Sequence, residues 1–316
     1  MKNIVVIGGG SGIFNVLKGL KNYPVTITSI VTTFDNGGST GILRDEFGTL
    51  PPGDIRRSLV ALAPDSGNTT LRDLFSYRFP EKSSLRGHSF GNLLLQALTS
   101  ISGNEVEAIK MAANILNIKH NILPISIDNS QLCASLSDKT IIKGETNIDI
   151  PKHDGSLRIE KLFLEPNAII YREAYDAILN ADLIIIGPGD LYTSILPNTL
   201  VKGFTDAIKK TDAKIVYVLN IMTKWGETNG FCASDFVKTL LSYLKKDKID
   251  YIICNDSPIK NSLIKKYQKE KSESVCIDES ELKKYAKKII FDDVVLQKDI
   301  LRHDAKKIAR IIMKIV

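Results

Sequence analysis

Two glycine-rich stretches, Gly8-Gly9-Gly10-Ser11-Gly12 and Asp35-Asn36-Gly37-Gly38-Ser39, carry the groups best suited to chemistry. Each follows a short apolar run. Backbone N–H groups without side chains around them bind anions, most strongly where a helix begins. Asp35 and Asn36 bring a carboxylate and an amide to the second loop. A third cluster, Pro51-Pro52-Gly53-Asp54, is followed at once by Arg56 and Arg57. Cations at the start of a helix oppose its dipole, so an anion nearby is the better explanation for them. Asn-Gly alone signals only a turn. Repeated at consecutive strand ends, such loops suit a phosphate-bearing ligand.

Further polar residues fall at comparable places. His88 and Asn92 lie four residues apart in Gly87-His88-Ser89-Phe90-Gly91-Asn92 and could point together from the first turn of a helix. Gly187-Pro188-Gly189-Asp190 ends the apolar run Leu183–Ile186. Asn220-Ile221-Met222-Thr223 ends the run from Lys214 to Leu219. The spacing G-x-G-x-x-G is not met, because Ile13 stands where a dinucleotide fingerprint needs its last glycine. That removes the basis for a nicotinamide enzyme. A Cys–His context for nucleophilic catalysis does not stand out.

The elements that must position these residues are those of an α/β chain. Ile4–Ile7, Val25–Val31, Leu183–Ile186, Lys214–Leu219 and Tyr251–Cys254 read as buried strands. Helical spacing covers Ile13 to Leu20, Ile55 to Ala63 with Asp54 as its N-cap, the segment from Phe90, and Ala168–Asn180. Between about 121 and 164 the pattern changes to short alternating runs separated by turn residues, as in antiparallel strands. That segment is expected outside the floor of the cleft. The expected fold is one Rossmann-like, doubly wound unit over 1–316, mainly parallel, with an antiparallel extension. Ligands of such sheets bind at the carboxyl ends of the strands, where the strand order reverses.

At 316 residues with a net charge of +6, the chain can bury a large core and is only mildly basic. Its lysines alternate with apolar residues in the C-terminal half, which describes solvated helix faces rather than a nucleic-acid surface. The first residues enter a strand directly, without a leader, and no apolar run approaches about 18 residues. The four cysteines are far apart, as expected of reduced structural thiols in the cytoplasm.

The motifs GGGSG at 8–12, TFDNGGSTG at 33–41, PPGDIR at 51–56, GHSFGNL at 87–93, IIIGPGDLYTS at 184–194, NIMTKWGETNG at 220–230 and LRHD at 301–304 occur together in this order. In this the chain resembles the gluconeogenesis factor family, the YvcK-type branch of the CofD-like superfamily. The resemblance implies a cytoplasmic regulatory protein that binds a UDP-sugar, chiefly UDP-N-acetylglucosamine, and supports cell shape on gluconeogenic carbon sources. It also implies a cell-envelope regulatory partner and self-association. The other branch consists of magnesium-dependent 2-phospho-lactate transferases, and the loop here departs from their Asn-Thr-Gly-Asp-Asp. Asn36 replaces one of two adjacent carboxylates, which weakens a site for Mg²⁺.

Two functions follow as expectations. As a sensor, the chain would hold a diphosphate on Gly9, Gly10, Ser11 and Gly12 or on Gly37, Gly38 and Ser39. Asn220 and Thr223 would contact base or sugar, while Tyr267 and Arg302 would close the pocket, with Asp35, Asn36, Asp54, Arg56, His88, Asn92, Gly187 and Gly189 completing the wall. As an enzyme transferring a phosphorylated group, it would use Asp35 and Asp54 for Mg²⁺ and His88 as base. His303 and Asp304 are expected to form a polar cluster with Arg302.

Overall fold

The computed structural model describes residues 1–65 and 69–316. In chain order its strands are β1 (Lys2–Gly8), β2 (Val25–Val31), β3 (Asn121–Pro124), β4 (Gln131–Leu136), β5 (Ile141–Lys143) and β6 (Ile159–Glu165). There follow β7 (Leu183–Ile186), β8 (Lys214–Val218), β9 (Ile249–Asn255), β10 (Ala286–Asp292), β11 (Val295–Gln297) and β12 (Leu301–His303). Seven of them form one sheet in the order β10-β9-β8-β7-β1-β2-β3, every pair parallel.

Alternation along β1 explains why its sequence is apolar throughout. Val5 and Ile7 join the hydrophobic cluster on one face, while Ile4 and Val6 join the cluster on the other. One face is covered by the helices Gly12–Leu20, Pro52–Leu62, Phe90–Ser102 and Ala305–Ile312, the other by Arg172–Leu179, Phe204–Lys210 and Ala233–Leu244. A three-stranded antiparallel sheet, β5-β4-β6, packs Leu132, Ala134, Leu162 and Leu164 against the second face.

Three expectations need correction. The run at Asn121 is parallel, pairing Ser29 with Ile122 and Ile30 with Leu123 at the sheet edge, so only the later part of 121–164 is antiparallel. Ile122 and Leu123 serve opposite cores, which requires a strand covered on both faces. The helix placed at Ala168–Asn180 spans Arg172–Leu179, because residues 168–171 bond outward, Ile170 to the Lys202 carbonyl and Tyr171 to that of Ile125. Asp54 is not an N-cap. Pro51 holds that place, Pro52 opens the helix, and Asp54 lies inside the first turn.

Candidate functional site

The strand order reverses between β7 and β1, and the two glycine loops following these strands face each other there. Gly12 opens its helix with its Cα against the Pro188 carbonyl, a place no Cβ could occupy. Around this junction lie two adjoining cavities. The first, about 270 Å³, runs from Gly9–Gly12 past Gly189 and Asp190 to Asn220, Thr223, Tyr267 and Arg302. The second, about 420 Å³, holds Asp35, Gly37, Gly38, Ser39, Arg56 and Asn92. Gly10, Ser11, Asp190 and Ser194 line both, so the two are lobes of one cleft.

In the first lobe Asn220 is held by donating to the Gly189 carbonyl at 2.8 Å and accepting from the Tyr217 hydroxyl at 3.3 Å. The buried Thr223 ties the wall to residue 273, its Oγ1 accepting from Glu273 N at 2.9 Å. The Tyr267 hydroxyl accepts from Leu301 N at 3.1 Å, so this residue fastens β12 while lining the cavity. Arg302 is exposed at the rim, and its guanidinium donates to the neighbouring Leu301 carbonyl at 3.4 Å. The expected Arg302-His303-Asp304 cluster does not form. Strand alternation turns His303 inward, where its Nε2 meets the Leu219 carbonyl at 3.0 Å, and Asp304 caps the last helix. Burial, above all, pushes the His303 imidazole down to about 4 and keeps it neutral.

The second lobe begins at a helix. Gly37 is the N-cap of Gly38–Phe47, so the free N–H groups of Gly38 and its neighbours form a positive end. Asp35 turns back to accept from Gly37 N at 2.8 Å. Ser39 gathers two of the expected residues, meeting His88 Nδ1 and the Asn92 amide at 3.1 Å each. His88 itself precedes the helix, which Ser89 caps, and it lies behind Ser39 rather than on the cavity wall. Arg56 is buried, donating to Asn92 Oδ1 at 3.0 Å and to the Phe75 carbonyl at 3.3 Å. Burial first, then the charges of Arg57 and Arg78, push its guanidinium down to about 10. An anion here would relieve that crowding. Arg57 is already paired with Asp54 at 2.6 Å, which supplies part of the explanation sought for the arginines and leaves the buried Asp54 behind Gly9, off the wall of both cavities.

Asn36 and Gly187 are placed differently from expectation. Asn36 accepts from Thr146 N at 2.9 Å, across 110 residues, and braces the insertion instead of facing a ligand. Gly187 lies beneath the floor, its bare Cα facing Ile195 and the Val218 carbonyl. The brace has a consequence. Gly144, at φ 92°, lets the chain pass against the Asn36 amide, and the helix Glu145–Asp149 then carries Glu145 and Asp149 into the second lobe. The insertion, expected outside the floor of the cleft, therefore helps build its wall.

Glu145 stands near Asp35, and the pair changes the electrostatics. Burial and then the Asp35 charge push Glu145 up to about 9, while burial and then Asp54 push Asp35 up to about 6. Asp35 thus meets a second carboxylate carried in by the insertion. Their hard oxygens fit a divalent cation, which would hold both groups ionised. Without one, both acids keep protons that the unfolded chain releases above about pH 4. Their contribution to stability is therefore full at low pH and declines as pH rises through about 6 and then 9. We predict that thermal stability falls from pH 5 to pH 9 and that Glu145→Gln flattens this fall, raising Tm most at pH 9. Parallel profiles for the two proteins in calorimetric scans would contradict the pairing.

Between the lobes, Lys224 meets three carboxylates: Asp149, Asp190 at 2.8 Å and Glu227 at 3.2 Å. Glu227 is fully enclosed and also accepts from Tyr192 N and the Thr193 hydroxyl. Burial pushes Glu227 up to about 7 despite Lys224. Burial alone would depress Lys224, but Glu227, Asp190 and Asp149 outweigh it and raise the ammonium above its ordinary value. These three carboxylates have metal-ligand spacing, and the lysine supplies the charge they require. Sequence reading passed over Glu145, Asp149 and Lys224. The one available signal was that Lys224 and Glu227 flank the tryptophan in a motif already singled out.

Comparison with known proteins agrees with this architecture. Residues 4–295 match the family model described as 2-phospho-L-lactate transferase CofD. A gluconeogenesis factor of Halalkalibacterium halodurans is 44% identical over 315 residues, 99% of this chain and 96% of that protein. The gluconeogenesis factor of Bacillus subtilis is 41% identical over 99% of this chain and 98% of its own length. A crystal structure of a UPF0052-family protein from Bacillus halodurans superimposes with a TM-score of 0.93 at 42% identity, covering 99% of this chain and 100% of that one. No helix among the described residues is long and apolar enough to cross a membrane. The chain belongs to the CofD family, in the company of its gluconeogenesis-factor members.

Proposed function

We propose that the cleft binds a nucleotide sugar of the UDP-N-acetylglucosamine type and that the protein acts as a regulator rather than a catalyst. The observation that carries this reading is the meeting of three helix- or strand-end glycine loops in one cleft with Arg56, Arg57 and Arg78 on one side and Arg302 on the other. A diphosphate would lie on the N–H groups of Gly9–Gly12, with base and sugar along Asn220, Thr223 and Tyr267. Gluconeogenic growth, cell shape and an envelope regulatory partner in the cytoplasm are the setting we propose. Self-association belongs to the same proposal. Calorimetry with a panel of UDP- and GDP-sugars, with and without magnesium, tests binding, and mass spectrometry of the recovered ligand tests turnover. Intact ligand is expected. Its conversion would overturn the regulatory reading, and failure to bind any UDP-sugar would remove the ligand class.

Arg302 provides the residue-level test. Among the described residues no carboxylate pairs with it, so its charge is available at the rim. A guanidinium donating to a phosphate contributes about 1.5–3 kcal/mol, so Arg302→Ala should weaken UDP-sugar binding roughly ten- to hundredfold. The Tm without ligand should barely move, and Lys should restore only part, since it lacks the planar fork. Unchanged affinity would return Arg302 to the solvated surface.

A second reading, transfer of a phosphorylated group, is favoured by one observation, the approach of Glu145 to Asp35. Magnesium would bind at that pair, where its charge would stabilise a transferring phosphoryl group. Asp54 is committed to Arg57 and would support the pair only from behind. The same panel with magnesium separates the readings.

A further inference from the structure

We propose that Cys232 and Cys276 form a thiol–disulfide modification site that locks one wall of the cleft. They are aligned partners in a parallel bridge, and Ala233 N donates to the Cys276 carbonyl at 2.8 Å. Neighbouring strands lie about 4.8 Å apart, within the Cα separation of about 4.4–6.8 Å that a disulfide spans. The Cys276 side chain lies near enough to push the Cys232 thiol up, to about 11. Cys276 is exposed and Cys232 half-buried, whereas Cys133 and Cys254 are buried. The pair is thus set apart from the chain's other thiols by access and by having a partner.

The stretch that carries Cys276 is part of the cleft. Thr223 N donates to the Glu273 carbonyl at 2.7 Å, Glu273 N to Thr223 Oγ1 at 2.9 Å and Val275 N to the Ile221 carbonyl at 3.0 Å. Thr223 and Ser272 line the first lobe. A bond from Cys276 to Cys232 would pin this wall to the helix Ala233–Leu244, which is anchored in the core through Phe236, Val237 and Leu240. Cys276 is the more exposed of the two, so it meets an oxidant first.

The oxidant is a low-molecular-weight disulfide. The Cys276 thiolate attacks one of its sulfurs, the S–S bond breaks, and one thiol leaves with the proton Cys276 gave up. Cys232, deprotonated by solvent base, then attacks the Cys276 sulfur of the mixed disulfide and releases the second thiol. Two protein thiols are oxidised and one external disulfide is reduced to two thiols. Bridges of this kind in reducing compartments are transient and redox-sensing.

The test treats purified protein with oxidised glutathione and maps its peptides without reduction. The expected product joins the Cys232 and Cys276 peptides, is reversed by dithiothreitol, and leaves Cys133 and Cys254 free. Closing the intervening loop should raise Tm by roughly 5 °C or more. Cys232→Ser should stop at a glutathione adduct on Cys276. Persistent adducts on wild-type Cys276 without the link, or a link between two chains, would overturn the site.

The effect on ligand rests on the proposed function. Pinning the Thr223–Ser272 wall should tighten UDP-N-acetylglucosamine binding at least threefold by pre-organisation. An unchanged or weaker Kd of the linked protein overturns the coupling. Failure of the reduced protein to bind falls on the ligand assignment, and the disulfide map stands apart from it.

Discussion

Replacing Lys224 with Met is expected to destabilise the protein by about 3–5 kcal/mol near pH 8, the usual loss when a buried pair is broken from one side. The effect centres on Glu227, whose side chain is 0% exposed and would be left facing Asp149 and Asp190 without a cation. Its fellow carboxylates are partly exposed, so water limits what they add. Glu227 has already been pushed up to about 7, and removing the ammonium raises it further. The deficit should therefore shrink as pH falls toward 5, where Glu227 takes a proton and the folded state regains it. Denaturant titrations at pH 5 and 8 read both parts. Adding Glu227→Gln to Lys224→Met should recover much of the loss at pH 8, because the amide can still accept from Tyr192 N. A loss under about 1 kcal/mol, independent of pH, would mean that the lysine is a surface residue.

Gly12→Ala should be the other severe substitution, for reasons of space rather than charge. A Cβ there would overlap the Pro188 carbonyl and approach Gly189 N at 2.9 Å, both backbone groups of the facing loop. Backbone cannot rotate away as a side-chain tip does, so the loops after β1 and β7 would separate. Overpacking of this kind costs about 1–3 kcal/mol and occasionally more. The Tm should drop, and affinity for any nucleotide sugar should fall at least tenfold, because Gly9–Gly12 and Gly189 no longer face each other. Gly38→Ala offers a contrast. Its Cβ would meet nothing within 4 Å, so only the strain of its φ of 46° applies, and the loss should be smaller. Equal losses at both positions would show that the loops tolerate displacement and that their close approach does not shape the site.

The strands and the glycine loops at their ends were legible because their cause is local. Ile4–Ile7 and Leu183–Ile186 are apolar throughout because both faces of the sheet are covered, and the glycine runs after them mark where the chain must turn tightly over a neighbour. The helix at Pro52 was legible too, although its cap was misplaced by three residues, since Pro and Asp both favour a first turn and only backbone angles separate N-cap from interior. Arg302 and Thr223 were singled out through motifs, but what they touch depends on neighbours far along the chain.

By itself the sequence determined the α/β class, the glycine loops at the strand ends and their suitability for an anion. Those follow from periodicity and from which residues lack a Cβ. Only the tertiary structure decided that Asn36 is a brace and that Glu145, Asp149 and Lys224 enter the cleft. The physical reason is distance along the chain. Asn36 reaches Thr146 across 110 residues and Lys224 reaches Asp149 across 75, and no local pattern records which remote carboxylate a fold will place beside another. Charge pairing inside a cleft is fixed by where the backbone closes, and that is settled only when the core has packed.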